Sequence, residues 1–179
     1  MGNLKELKRI TLAATLTALS IVLDITFKTI IPSGLDRIFG FPYYSIPLVI
    51  GSLILGPIYG GAMGYISDLV GFYASGYPQY EPLFALSAIA WGVLPWLLTK
   101  VDSKWPKVLL AIFVSHLSAS ALNTLSMYIS YGAETAFGSL GLRLAMMPVN
   151  VIIITVTTYL ILQRLNPVFE DYMKPQKLI

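Results

Sequence analysis

FGFPYYSIPLVIGSLILGPIYGGAMGYISDLVGFY, residues Phe39 to Tyr73, decides the fold. It opens with aromatics and prolines and continues through Tyr44 to Leu55 without a charge. Gly56-Pro57 then interrupts the helix, because glycine reaches backbone conformations other residues avoid and proline is suited to a first helical turn. Beyond the turn, Gly56, Gly60 and Gly64 recur every four residues, with Gly61 and Ala62 beside them. Small residues at that spacing let membrane helices approach closely. One acid, Asp68, follows among Ile66, Leu69, Val70 and Phe72. A short hydrophobic helix, a tight turn and a helix with a lone carboxylate describe a membrane hairpin holding a small polar site, not a soluble core.

Composition points the same way. The chain has 179 residues, 56% hydrophobic and 12% charged. A soluble domain carries about 25% charged residues, so this one has roughly half the usual charge and belongs among polytopic membrane proteins. It contains no cysteine, which excludes disulfides and thiolate chemistry, and one histidine, which excludes a multi-histidine metal site. A net charge of +3 without a basic, aromatic-interleaved run gives no sign of nucleic-acid binding. No G-x-x-x-x-G-K-[ST] sequence is present, so the chain does not cradle a nucleotide phosphate in that way. No metal or organic cofactor is expected.

Working outward, Lys5, Lys8 and Arg9 precede the apolar stretch Ile10 to Ile31. It is too long for a signal-peptide core and lacks a small-residue cleavage site, so it reads as a first membrane helix. A single domain over residues 1–179 is expected, all-α and integral to the membrane, with six transmembrane helices near 10–31, 44–55, 58–74, 83–99, 108–131 and 137–163. Gly132 to Thr135 reads as a loop before the last helix. Six crossings put both termini on one side. That side collects Lys5, Lys8, Arg9, Lys100, Lys104, Lys107, Arg164, Lys174 and Lys177, leaving Lys28, Arg37 and Arg143 for the other. The excess of positive charge predicts cytoplasmic termini, with external loops after the first, third and fifth helices.

Several residues are candidates for function. Asp68 is costly in a membrane without a partner or ligand; a structural pair with Arg143 or Lys28 competes with a binding role. Trp91, one turn from Ser87, reads either as lipid-facing packing or as a stacking surface for a flat ligand. Asn123, Thr124, Ser126, Tyr128 and Ser130 make the external half of the fifth helix polar, which requires bonding within the bundle or a cavity. Asn123 and Met127 share a face. His116, beside Ser115 and close to Ser118, reads as an interhelical hydrogen-bonding group. Arg143 either snorkels to the interface or binds an anionic group. Asp24 and Lys28, four residues apart, are expected to pair. Ala14 and Ala18 form a small-xxx-small face suited to packing.

Three stretches carry a resemblance: the opening one, then YEPLFALSAIAWG (Tyr80 to Gly92), then LNTLSMYISYGAETAFGSLGLRLAMMP (Leu122 to Pro148). With the alanine pattern of the first helix, the chain resembles an S-component, the substrate-binding subunit of an energy-coupling factor (ECF) vitamin transporter, most like the folate-specific branch. The resemblance implies a six-helix bundle that binds one vitamin from outside and has no catalysis of its own. It implies docking on a membrane coupling protein accompanied by two cytoplasmic ATPases. It assigns Ala14 and Ala18 to the docking surface and the external loops to a lid. Asp68 stands where folate-type members carry an aspartate, and Asn123 and Arg143 fall in matching segments. Such members often carry an arginine near the end of the first helix; here Lys28, or Arg37 in the following loop, takes that place. For a folate ligand, Asp68 would accept the amidine-like pterin edge. Trp91, Phe72 or Tyr128 would stack on its plane, and Lys28, Arg37 and Arg143 would meet the glutamate tail. Alternatives are the same fold tuned to another small molecule, such as pantothenate or a queuosine precursor, or a small intramembrane enzyme using Asp68 or His116. Those two side chains are predicted at different depths, which counts against the enzyme.

Overall fold

The computed structural model describes residues 2–31, 41–74, 80–100 and 104–169. These form seven α-helices: α1 (Gly2–Ile30), α2 (Ser45–Leu55), α3 (Pro57–Ala74), α4 (Ala85–Thr99), α5 (Trp105–Tyr131), α6 (Ala133–Gly138) and α7 (Leu140–Phe169). A 3-10 turn, Pro82–Phe84, leads into α4. Arg37, Tyr77, Lys174 and Lys177 lie outside the described residues.

Several elements differ from the sequence expectation. The basic lead is not separate from the first helix: α1 begins at Gly2, since Leu4 to Arg9 are good helix formers with no breaker among them. Tyr59 of α3 hydrogen-bonds the Glu6 carboxylate and ties this extension to the bundle. The fifth helix begins at Trp105 because Pro106 occupies its first turn, where its missing N–H costs nothing. The loop expected at Gly132 to Thr135 is instead the start of α6. Gly132, at φ 84°, ends α5, and Glu134 then sits in the first turn of α6, where the helix dipole favours an acid. Ser139 breaks the chain between α6 and α7, and its carbonyl accepts the Arg143 N–H at 3.1 Å.

Four segments are long and apolar enough to cross a membrane: Leu4–Ile30, Pro82–Thr99, Trp105–Tyr131 and Leu140–Arg164. Large apolar side chains such as Val22, Leu86, Leu110, Leu125 and Ile152 point outward along them, as lipid contact demands. The 11-residue α2 spans only about 16 Å at 1.5 Å per residue. It is buried on nearly every face, with only Ile46 less than fully enclosed, and packs against α1, α3, α4 and α7. A short helix is tolerated there because protein, not lipid, surrounds its ends. Gly56, at φ 96°, closes it by donating its N–H to the Ser52 carbonyl at 2.9 Å.

The glycine ladder has a specific partner. Gly60 and Gly64 lie on the backbone of α4 at Gly92 and Ala88, so a Cβ at Gly60 would collide with the Gly92 carbonyl oxygen, and one at Gly92 with that of Gly60. The α3–α4 contact is the most extensive in the bundle. It brings the helix carrying Asp68 hard against the helix carrying Trp91.

Candidate ligand-binding site

On α5, His116, Ala119, Ser120, Asn123, Met127 and Tyr131 fall on one face, at steps of one, three or four residues. That face is the back wall of a cavity of about 440 Å³. The wall rises about 22 Å from His116 to Tyr131, from fifteen steps of 1.5 Å. The other walls come from α1 (Asp24, Phe27, Lys28), α3 (Ser67, Asp68, Phe72), α4 (Ser87, Trp91) and α7 (Arg143). Phe41, Tyr44, Tyr80 and Phe84 contribute from the connecting segments. The volume is that of a small-molecule site, and the lining is the usual one of aromatics with a few placed polar groups.

Asp68 is half-buried and accepts a hydrogen bond from the Tyr80 hydroxyl at 2.9 Å. Burial, and then the nearby Asp68 carboxylate, push the Tyr80 phenol above its ordinary range, so it stays a protonated donor at neutral pH. Neither Arg143 nor Lys28 bonds Asp68. Lys28 instead pairs with Asp24 at 2.6 Å across one turn of α1, and Asp24 packs on α3 where Gly71 leaves room. Ser20 completes this seam, bonding Ser67 and the Tyr44 carbonyl at 2.8 Å each.

Arg143 does not snorkel. It is 7% exposed and turned into the bundle. Its Nη2 donates to the Ala136 carbonyl at 3.0 Å and to the Thr124 hydroxyl at 3.3 Å. Its Nε has no partner, and no carboxylate pairs with it among the described residues. A guanidinium held in a membrane bundle by two neutral acceptors retains a large demand for an anion.

Trp91 is 1% exposed, so the lipid-facing alternative is replaced by a buried one. Its ring stands edge-on to the His116 imidazole, with centroids 5.5 Å apart and an angle of 68°. His116 bonds within its own helix, Nδ1 to Ser120 Oγ at 3.2 Å, instead of bridging helices. Its Nε2 is buried without a partner.

Of the residues singled out by sequence, Asp68, Phe72, Trp91, Asn123, Arg143 and Lys28 line the one cavity. Tyr128 does not. One step beyond Met127 turns it about 100° around α5, onto an outer apolar groove where its ring packs 6.1 Å from Phe137. His116 and Asp68, expected at different depths, line the same cavity with no hydrogen bond joining them among the described residues. His116, which reads from the sequence as an interhelical hydrogen-bonding group, lies seven residues before Asn123, two turns down the same face, and that spacing places it on the cavity wall. Tyr80 carries no such signal, because it precedes α4 and reaches Asp68 only through the fold. Among the described residues, no group of three or more His, Cys, Asp or Glu is placed to hold a metal.

The arrangement defines a class first: an all-helical membrane protein enclosing a ligand-sized cavity with aromatic walls, a half-buried acid and a buried cation. The family described as ECF transporter, substrate-specific component, matches residues 8–164, and the chain belongs to that family. It is therefore a substrate-binding subunit of a transporter, not an enzyme. No curated protein sequence matches the chain. The exposed Ala14 and Ala18 lie on the outer face of α1, away from Ala13, Leu16 and Thr17, which face the bundle.

Proposed function

We propose that this subunit binds folate from the outside and delivers it through an ECF-type importer. The observation that carries the reading is the coexistence of Asp68 and Arg143 in one aromatic-lined cavity. Asp68 spends one acceptor site on Tyr80 and retains others for the paired N–H groups of a pterin edge. Trp91 and Phe72 supply surfaces for its plane. Arg143, lacking an acid, meets the anionic glutamate tail, with Lys28 as a further cation of the same cavity. Asn123 adds a polar contact from the back wall.

Delivery in this reading uses the outer surface. Ala14 and Ala18 leave a flat strip on α1 for a membrane coupling protein, whose two ATPase partners supply the energy this chain has no phosphate loop to harvest. In this reading α2 and α3 supply the second and third of six crossings, both termini are cytoplasmic, and α6 belongs to an external lid.

Mass spectrometry of small molecules released from the purified, denatured protein tests the assignment. Folate, or a reduced folate, is the expected mass. Pantothenate or a queuosine precursor would replace folate as the ligand while leaving the class intact.

A further inference from the structure

The floor of the cavity holds a polar atom that the folate reading does not use. His116 is 4% exposed. Its Nδ1 is engaged by Ser120, its ring edge meets Trp91, and Nε2 has no protein partner although the residue lines the cavity. A buried donor or acceptor left unmet is costly, so it marks either strain or a ligand contact. Here the site is open to a ligand, which favours the contact.

The tautomer is coupled to Ser120. Its hydroxyl can donate to His116 Nδ1 or accept from Nδ1–H across the 3.2 Å contact. With the hydroxyl as donor, Nδ1 accepts and the ring proton resides on Nε2. No carboxylate bonds the ring among the described residues, so nothing there draws that proton away. We propose that His116 is a specificity-determining residue. It presents Nε2–H from the cavity floor to a carbonyl oxygen or ring nitrogen at the inner end of a planar ligand, while Trp91 bounds the ligand's plane and Ser120 sets the tautomer.

The proposal rests on the reading of this cavity as the transport site, and it narrows the ligand. The flat end must carry an acceptor for His116 in addition to the donor edge taken by Asp68. An aliphatic chain with no acceptor at its inner end would leave the imidazole N–H unmet, and the site would discriminate against it. A pterin has both kinds of group.

The chain contains a single histidine, so uniform incorporation of 15N-histidine yields the signals of one imidazole. The full-length protein in lipid nanodiscs is expected to show Nε2–H and unprotonated Nδ1 before ligand is added. The opposite tautomer, or a doubly protonated ring, overturns the proposal without reference to any ligand. On titration with folic acid the Nε2 resonance should move. His116→Leu should weaken binding by about tenfold or more, and His116→Gln, which keeps an N–H donor, should recover most of that loss. Ser120→Ala should mix the tautomers and weaken binding about threefold. Folic acid binding with Nε2 unmoved and His116→Gln no better than His116→Leu also overturns the proposal. Should His116→Leu fail to fold, the resting tautomer and Ser120→Ala still decide the matter. Failure of folic acid to bind the wild type overturns the folate assignment instead, and the His116 proposal then stands or falls on the resting tautomer.

Discussion

At the residue scale, the cavity separates two kinds of polar side chain. Ser126, Thr124 and Thr99 bond the carbonyl four residues back in their own helices and so satisfy themselves locally. Asp68, Arg143 and His116 do not, and each keeps unfilled hydrogen-bonding capacity toward the cavity. Asp68→Asn should therefore weaken folate binding by about 1.5–3 kcal/mol, the worth of a charge-assisted bond. Isothermal calorimetry on purified protein reads that as roughly a ten- to hundredfold rise in Kd. An affinity unchanged within about twofold would remove Asp68 as head-group anchor. Tyr80→Phe removes a donor that reaches the ligand only through Asp68, so it should weaken folate binding less than Asp68→Asn does.

At the element scale, the site depends on how closely α3 and α4 approach. The Gly60–Gly92 contact is backbone against backbone, with nothing flexible to give way. Gly92→Ala should force the helices apart and destabilise by about 1–3 kcal/mol, lowering the melting midpoint by about 2–4 °C per kcal/mol. Gly61→Ala is the contrast. Its Cβ would meet only the Val93 and Ile89 side chains, at 3.1 and 3.9 Å, and α3 should tolerate it better. Differential scanning fluorimetry of the two variants side by side checks the ordering; equal midpoints would show that the close contact is not limiting. The same approach explains the short α2: enclosed by four helices, it has no need to match the bilayer.

At the scale of the whole molecule, orientation and docking are the claims to test. The absence of cysteine allows single reporters to be introduced cleanly. Ala133→Cys should react with a membrane-impermeant maleimide in intact cells, whereas Lys104→Cys should react only after permeabilisation; the reverse pattern inverts the topology. Both positions are exposed. Replacing Ala14 and Ala18 by leucine should leave ligand binding to the isolated subunit unaltered, because both side chains point away from the bundle. Uptake in cells supplying the coupling module should fall by about tenfold or more, since a flat small-residue strip would become ridged. Retained uptake would move the docking surface elsewhere.

Much of this was legible in the amino-acid order alone. Low charge and long apolar runs determined an all-helical membrane protein. Gly56-Pro57 determined the turn after a helix too short to span. The spacing of Asp24 and Lys28 determined their ion pair, because residues four apart on a helix are neighbours whatever the fold. Only the tertiary structure decided that Arg143 turns inward, that Trp91 meets His116, that Tyr128 faces the outer groove, and that Gly60 rests on Gly92. The reason is physical. Helical periodicity states which residues share a face. In a membrane both lipid and protein interior are apolar, so hydrophobicity does not state which face looks inward. That choice is made by close packing between helices distant in sequence, and it carried Asp68, the lone acid of Phe39 to Tyr73, to the wall of a cavity.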